Sequence, residues 1–194
     1  ALPILGKDSR DEFYELIKIY NKYPLEELII HPRTQKDFYG NKPDLEVFKD
    51  ALSLSTNPVC YNGDIFTNDN YTKFTNLFPK VDTIMLGRGI LANPGLINEI
   101  IGNDMISKET MKAFHDEILN AYIDLYPEDI GALFKMKELW SYMIYIFSNG
   151  KEYLKNIRRG KNIEEYKEGV YSLFSEQEII KGAGLFKEHY KKEV

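Results

Sequence analysis

Residues 57–89 read NPVCYNGDIFTNDNYTKFTNLFPKVDTIMLGRG. Two short β-branched and apolar runs, closed by Asn62-Gly63 and by Gly87-Arg88-Gly89, bracket a stretch at 66–78 whose spacing is helical. Strand, helix and strand with short connections predict parallel pairing, since a parallel crossover needs a helix-length connection. Toward the N-terminus the alternation continues. DLEVFKDALSL (44–54) reads as a helix and LEELIIHP (25–32) as a buried strand ending at Pro32. Asp11–Tyr20 places apolar residues at 13, 16, 17 and 20, as a helix requires. ALPIL (1–5) reads as a further strand, irregular or at an edge because of Pro3. Three or four parallel strands cannot close a barrel of eight. The zone is therefore a small open sheet or part of a barrel.

Beyond about Ser107 the strand signal ends. Helical spacing runs through 108–126, 132–147, 150–160 and 162–174, with turns at Pro127-Glu128-Asp129 and Ser148-Asn149-Gly150. Ser107 or Thr110 is placed to cap the first of these helices. Four helices with short links predict an antiparallel bundle. The expected division is 1–104, α/β, and 105–194, all helical. No internal repeat or low-complexity tract is visible.

The 194 residues are 43% hydrophobic and 28% charged, the balance of a soluble protein with a core. No apolar run reaches the roughly 18–20 residues of a membrane span, and the opening residues lack the cationic start and apolar length of a signal peptide. The single cysteine, Cys60, excludes an intramolecular disulfide and fits a reducing compartment, with the cytoplasm as the expected location. The net charge of -5 argues against a polyanionic partner, yet the charge is uneven. Between 151 and 161 stand Lys151, Lys155, Arg158, Arg159 and Lys161 against Glu152 alone. Local patches set the field that a polyanion meets.

Three strand ends carry polar or glycine-rich motifs: His31-Pro32-Arg33-Thr34, Asn62-Gly63-Asp64 and Gly87-Arg88-Gly89. Ligands of parallel α/β folds gather at the carboxyl ends of strands, so three such ends define one face. Gly87 and Gly89 allow close backbone approach, and Arg88 suits a phosphate; a tight turn with a solvent-facing arginine explains the same residues. Asn62-Gly63 is a common turn dipeptide, though its N–H groups would also serve a phosphate. His31 beside Arg33 is placed to bond a ligand ring or phosphate, or is structural. Cys60, inside a strand, reads as a buried, inert thiol. No cluster has metal-ligand spacing, and no nucleophile–base–acid set stands out.

Lys151, Lys155, Arg158 and Arg159 fall at i, i+4, i+7 and i+8, on one helical stripe, while Leu154 and Ile157 point elsewhere. Lys161 extends the stripe, and Lys135 and Lys137 add charge on the preceding helix. The stripe is a solvated face or a phosphate-binding one, whose affinity would depend steeply on salt. Leu133, Met136, Trp140, Ile144 and Phe147 recur every three or four residues as a core stripe.

LIIHPRT, VCYNGDI and TIMLGRGILANPGLINEI resemble consecutive barrel motifs of bacterial tRNA-dihydrouridine synthases, and FHDEILNAYIDLYP, LFKMKELWSYMIYIF and YLKNIRRGKNIEEY resemble that family's C-terminal helical domain. The match runs in order over about residues 6–180. The resemblance implies the C-terminal half of a TIM (β/α)8 barrel followed by an all-α bundle. It implies FMN reduced by NAD(P)H, hydride transfer to a uracil C5=C6 bond in tRNA, and a cysteine as general acid. It further implies that Asn62, Gly63, Asp64, Gly87 and Arg88 contact FMN, with His31 and Arg33 near the flavin or the uridine. The helical domain would hold tRNA through Lys151, Lys155, Arg158, Arg159 and Lys161.

Two departures accompany the match. The family's general-acid cysteine lies in the first half of the barrel, to which no segment here corresponds, and Cys60 does not match it. A family Lys-x-Arg pair reads Leu2 and Ile4 here, and Lys7 follows the aligned glycine, Gly6, without replacing the pair. The expectation is a partial form, inactive alone, that self-associates or pairs with the missing half-barrel. The alternatives are a non-catalytic RNA-binding or interaction module, and a self-associating phosphate-binding half-barrel.

Overall fold

The computed structural model describes residues 2–3, 10–34 and 41–184. Four parallel strands, β1 (Leu2–Pro3), β2 (Leu28–His31), β3 (Val59–Asn62) and β4 (Thr83–Met85), pair in the order β1-β2-β3-β4. Helices α1 (Arg10–Tyr20), α2 (Leu45–Leu54) and α3 (Asn68–Leu77) form the successive crossovers. The expected alternation is observed, and the chain is α/β with a small parallel sheet. Residues 1, 4 and 5 of the expected first strand, with Gly6 and Lys7, lie outside the described residues.

The register decides which residues share a face. Ile30 pairs with Tyr61 and Tyr61 with Ile84, while Ile29 and Thr83 flank Cys60 and Met85 flanks Asn62. Alternation along each strand therefore gives Ile30, Tyr61 and Ile84 one face and Ile29, His31, Cys60, Asn62, Thr83 and Met85 the other. On the first face Tyr61 stacks on Phe74 of α3 at 3.9 Å and meets Phe48 of α2 edge-on at 4.8 Å; Phe48 also meets Phe78 at 5.2 Å. Aromatic contacts of this kind add to the area they bury. Asp44 starts α2 by accepting from the N–H groups of Glu46 and Val47, both at 3.1 Å, and so satisfies donors that the helix cannot.

Helices α4 (Arg88–Ala92), α5 (Leu96–Ile100), α6 (Lys108–Leu125), α7 (Asp129–Met143), α8 (Gly150–Arg159) and α9 (Ile163–Glu176) follow, with a 3-10 turn at Ile144–Ile146. By compactness the described residues divide into a unit of 2–3, 10–34, 41–65 and 72–87 and a helical unit of 66–71 and 88–184. Ser107 caps α6, its Oγ accepting from the Thr110 N–H at 3.1 Å. The stripe Leu133, Met136, Trp140, Ile144 and Phe147 is buried throughout, against Ile157, Tyr166, Val170 and Phe174. α7 begins three residues before the expected 132, where Asp129-Ile130-Gly131 breaks the apolar period, and ends at Met143, where the chain tightens into the 3-10 turn.

Inside this core Trp140 Nε1–H donates to the Tyr166 hydroxyl at 2.7 Å. That hydroxyl lies 2.7 Å from His115 Nε2, and His115 Nδ1 lies 2.9 Å from Asp116. Each group is satisfied if Tyr166 donates to Nε2 and a neutral His115 donates from Nδ1. Burial lowers the His115 pKa and raises that of Tyr166, so neither is charged in the native core near neutral pH.

Candidate functional site

The carboxyl ends of β2, β3 and β4 are laced together. His31, last in β2, donates from Nδ1 to the Asn62 carbonyl at 2.7 Å, and Asn62, last in β3, donates from Nδ2 to the Met85 carbonyl at 3.2 Å. A neutral His31 ring then keeps Nε2 as its acceptor nitrogen. Sequence order alone could not show that these two residues brace adjacent strands.

Arg33 and Asp64 meet across the loops that leave β2 and β3. Arg33 Nη1 donates to Asp64 Oδ1 at 2.8 Å and Nη2 to Oδ2 at 2.5 Å, while Nε and Nη2 also donate to the Asn41 carbonyl at 2.9 and 2.6 Å. The two side chains are 2% and 8% exposed. Such a two-pronged pair is rigid. Two residues that read in sequence as separate ligand contacts thus bond each other beside the turn at Asn62-Gly63. That turn requires glycine: a Cβ on Gly63 would sit 1.9 Å from the Tyr61 hydroxyl.

Gly87, just past β4, is exposed, and a Cβ placed on it would meet no atom within 4 Å. A ligand can therefore reach its backbone closely. In the helical unit, the Arg88 guanidinium lies 5.3 Å from the Phe66 ring centroid, a cation–π contact that holds a half-buried side chain in place. Asn93, buried in the loop between α4 and α5, accepts from the Gly95 N–H at 2.9 Å and donates to Glu99 at 2.7 Å. Its role is to shape that loop. Cys60 is 3% exposed, and burial pushes its thiol pKa up, which fits an inert thiol.

The basic stripe also forms. Lys151, Lys155, Arg158, Arg159 and Lys161 are all exposed, while Ile157 is fully buried and Leu154 half-buried. Among the described residues no carboxylate pairs with the side chains of Lys155, Arg158, Arg159 or Lys161. α8 is held on α9 at close range, for a Cβ on Gly169 would meet the Ile157 backbone at 3.2 Å. Asn162 and Glu165 close the start of α9 reciprocally: Asn162 Oδ1 accepts from the Glu165 N–H at 2.9 Å and Glu165 accepts from the Lys161 N–H at 2.8 Å. Lys137 departs from the expected surface charge, since its ammonium donates to the Gly160 carbonyl at the end of α8. Among the described residues no group of His, Cys, Asp and Glu is arranged to hold a metal ion, and no helix is long and apolar enough to cross a membrane.

Comparison with known proteins gives this geometry a family. The model of the dihydrouridine synthase (Dus) family matches residues 4–188. A probable tRNA-dihydrouridine synthase of Rickettsia bellii is 29% identical over 136 residues, covering 66% of this chain and 41% of the relative. The tRNA-dihydrouridine synthase B of Pasteurella multocida is 30% identical over 105 residues, 54% of this chain and 30% of the relative. The tRNA-dihydrouridine(16) synthase of Yersinia pestis is 25% identical over 167 residues, 83% of this chain and 52% of the relative. The chain thus spans about half or less of each of these proteins. With nearly its whole length matched by the family model, this chain belongs to the dihydrouridine synthase family.

Proposed function

We propose that this chain is the cofactor-phosphate side and the RNA-holding part of a flavin-dependent tRNA-dihydrouridine synthase. The observation that carries the reading is the set of three strand ends braced by His31 and Asn62, beside the open backbone at Gly87. Strands that pair in strict sequence order, without the reversal of a doubly wound sheet, support the half-barrel. On this reading residues 1–104 form the barrel part and 105–194 the tRNA-holding part.

The residues fit FMN. Asn62, Gly63 and Gly87 would hold the phosphate and ribityl end, and Arg88, next along the chain, would add charge. His31 would face the flavin or uridine, while Arg33 and Asp64 keep the Asn62-Gly63 turn in place from behind. FMN, reduced by NAD(P)H, supplies the hydride for the uracil C5=C6 bond. Cys60, 3% exposed within β3, is placed away from a substrate and is not assigned as the proton donor. Among the described residues β4 ends the sheet, with Met85 37% exposed, and an edge of this kind favours pairing with the rest of a barrel or with a second copy. The exposed basic stripe would meet tRNA phosphates, and a tRNA substrate carries a cytoplasmic location with it.

Titrating FMN into the chain tests this reading. Saturable quenching of flavin fluorescence, weakened by Arg88→Glu, is the expected result. No saturable change, with tRNA still bound, would instead favour a non-catalytic RNA-binding module.

A further inference from the structure

The helical unit contains a second feature, a groove between the first turns of α7 and the end of α8. Ile130, Leu133, Phe134 and Lys137 stand at i, i+3, i+4 and i+7 on one stripe of α7. Leu133 is buried, as a core stripe should be, but Ile130 is 71% and Phe134 67% exposed. They face a concavity of about 400 Å³ whose other wall is Arg158, Arg159 and Lys161. Lys137 closes it by donating to the Gly160 carbonyl, and Gly160 has no room for a side chain, because a Cβ would lie 2.7 Å from the Tyr166 nitrogen. Lys135 lies 5.8 Å from the Phe134 ring centroid.

A phenyl ring that is 67% exposed and flanked by Lys135 shares this groove with three cations, Arg158, Arg159 and Lys161, that have no carboxylate partner among the described residues, and the combination suits a flat, anionic occupant. A nucleotide has both properties, with a π face for the ring and a phosphate for the cations. In a duplex the base faces are stacked and out of reach, so the ring selects an unpaired base. We propose that this groove takes one unpaired nucleotide of an RNA, its base on Phe134 and its phosphate on Arg158, Arg159 and Lys161. The proposal rests on the reading that the helical unit holds RNA, and it adds that single-stranded or looped RNA is preferred there.

The test is fluorescence anisotropy of the whole chain with a short single-stranded RNA and with the same RNA annealed to its complement. Phe134→Ala, at an exposed position, should keep the native circular dichroism yet weaken single-strand binding by about 5- to 100-fold. It should leave the duplex and the salt dependence unchanged, and Phe134→Tyr should restore binding. Arg158→Gln with Arg159→Gln should weaken both RNAs and flatten the salt dependence. If the arginine variant weakens binding while Phe134→Ala does nothing, or weakens both RNAs equally, the groove proposal is overturned and the RNA reading stands. If the chain binds neither RNA, or the arginine variant is neutral, the RNA reading falls and takes the proposal with it. Displacement of the single strand by polyglutamate at equal charge concentration would mark an acidic peptide as the occupant and also overturn the proposal.

Discussion

Replacing Asp64 with alanine takes from the buried Arg33 guanidinium the carboxylate that it grips with two hydrogen bonds. The pair is two-pronged, at 2.8 and 2.5 Å, with side chains 2% and 8% exposed. Removing one partner at such burial costs about 3–5 kcal/mol, set against a total stability of about 5–15 kcal/mol for a domain. With a urea slope of about 1–3 kcal/mol per M, the unfolding midpoint should fall by about 1 M or more. Replacing both residues by apolar ones of similar size, Arg33→Met with Asp64→Leu, should recover most of that loss, because no buried charge is then stranded. Urea unfolding followed by far-UV circular dichroism measures all three proteins. A loss below about 1 kcal/mol for Asp64→Ala, the value of a surface pair, would show that water reaches the guanidinium and refute the buried clamp. A double variant as unstable as the single one would refute it equally.

Gly63→Ala drives a methyl into the Tyr61 hydroxyl, 1.9 Å from its ideal position, and should cost about 1–3 kcal/mol by the same urea assay as Tyr61 shifts on Phe74. The pKa of His115 is lowered in the native state, so below about pH 6.5 the unfolded chain binds the proton that the folded one refuses. Stability should therefore be complete above that pH and fall by up to about 1.4 kcal/mol per pH unit below it, a contribution that His115→Gln removes from the pH profile. Arg158→Gln with Arg159→Gln should lower the slope of log affinity for tRNA against log salt by about two, measured by filter binding between low and physiological salt.

The sheet was legible because each strand is a short β-branched or apolar run closed by a turn signal, and the crossovers keep a helical period. Arg33 and Asp64 were visible at strand ends, but 31 residues separate them and nothing local records that they neutralise each other. The hydrogen bond from His31 to the Asn62 carbonyl was hidden for the same reason, since register is a property of two strands. Along α7 periodicity identified the buried stripe correctly. It could not tell that Phe134, one residue beyond buried Leu133, faces outward, or that Lys137 is used at the end of α8. Exposure depends on which neighbour arrives, and the sequence names no neighbour.

On the proposed reading, the strand ends of this chain grip the phosphate end of a flavin. Titrating FMN side by side into the native chain and into Gly87→Val tests it most directly. A Cβ at this position meets no atom within 4 Å, so the fold should survive while access to the backbone is lost. Saturable quenching is expected for the native chain and an affinity weakened about 10- to 100-fold in the variant, the loss of one charge-assisted hydrogen bond. Equal affinities, or no saturable binding by the native chain, would contradict it.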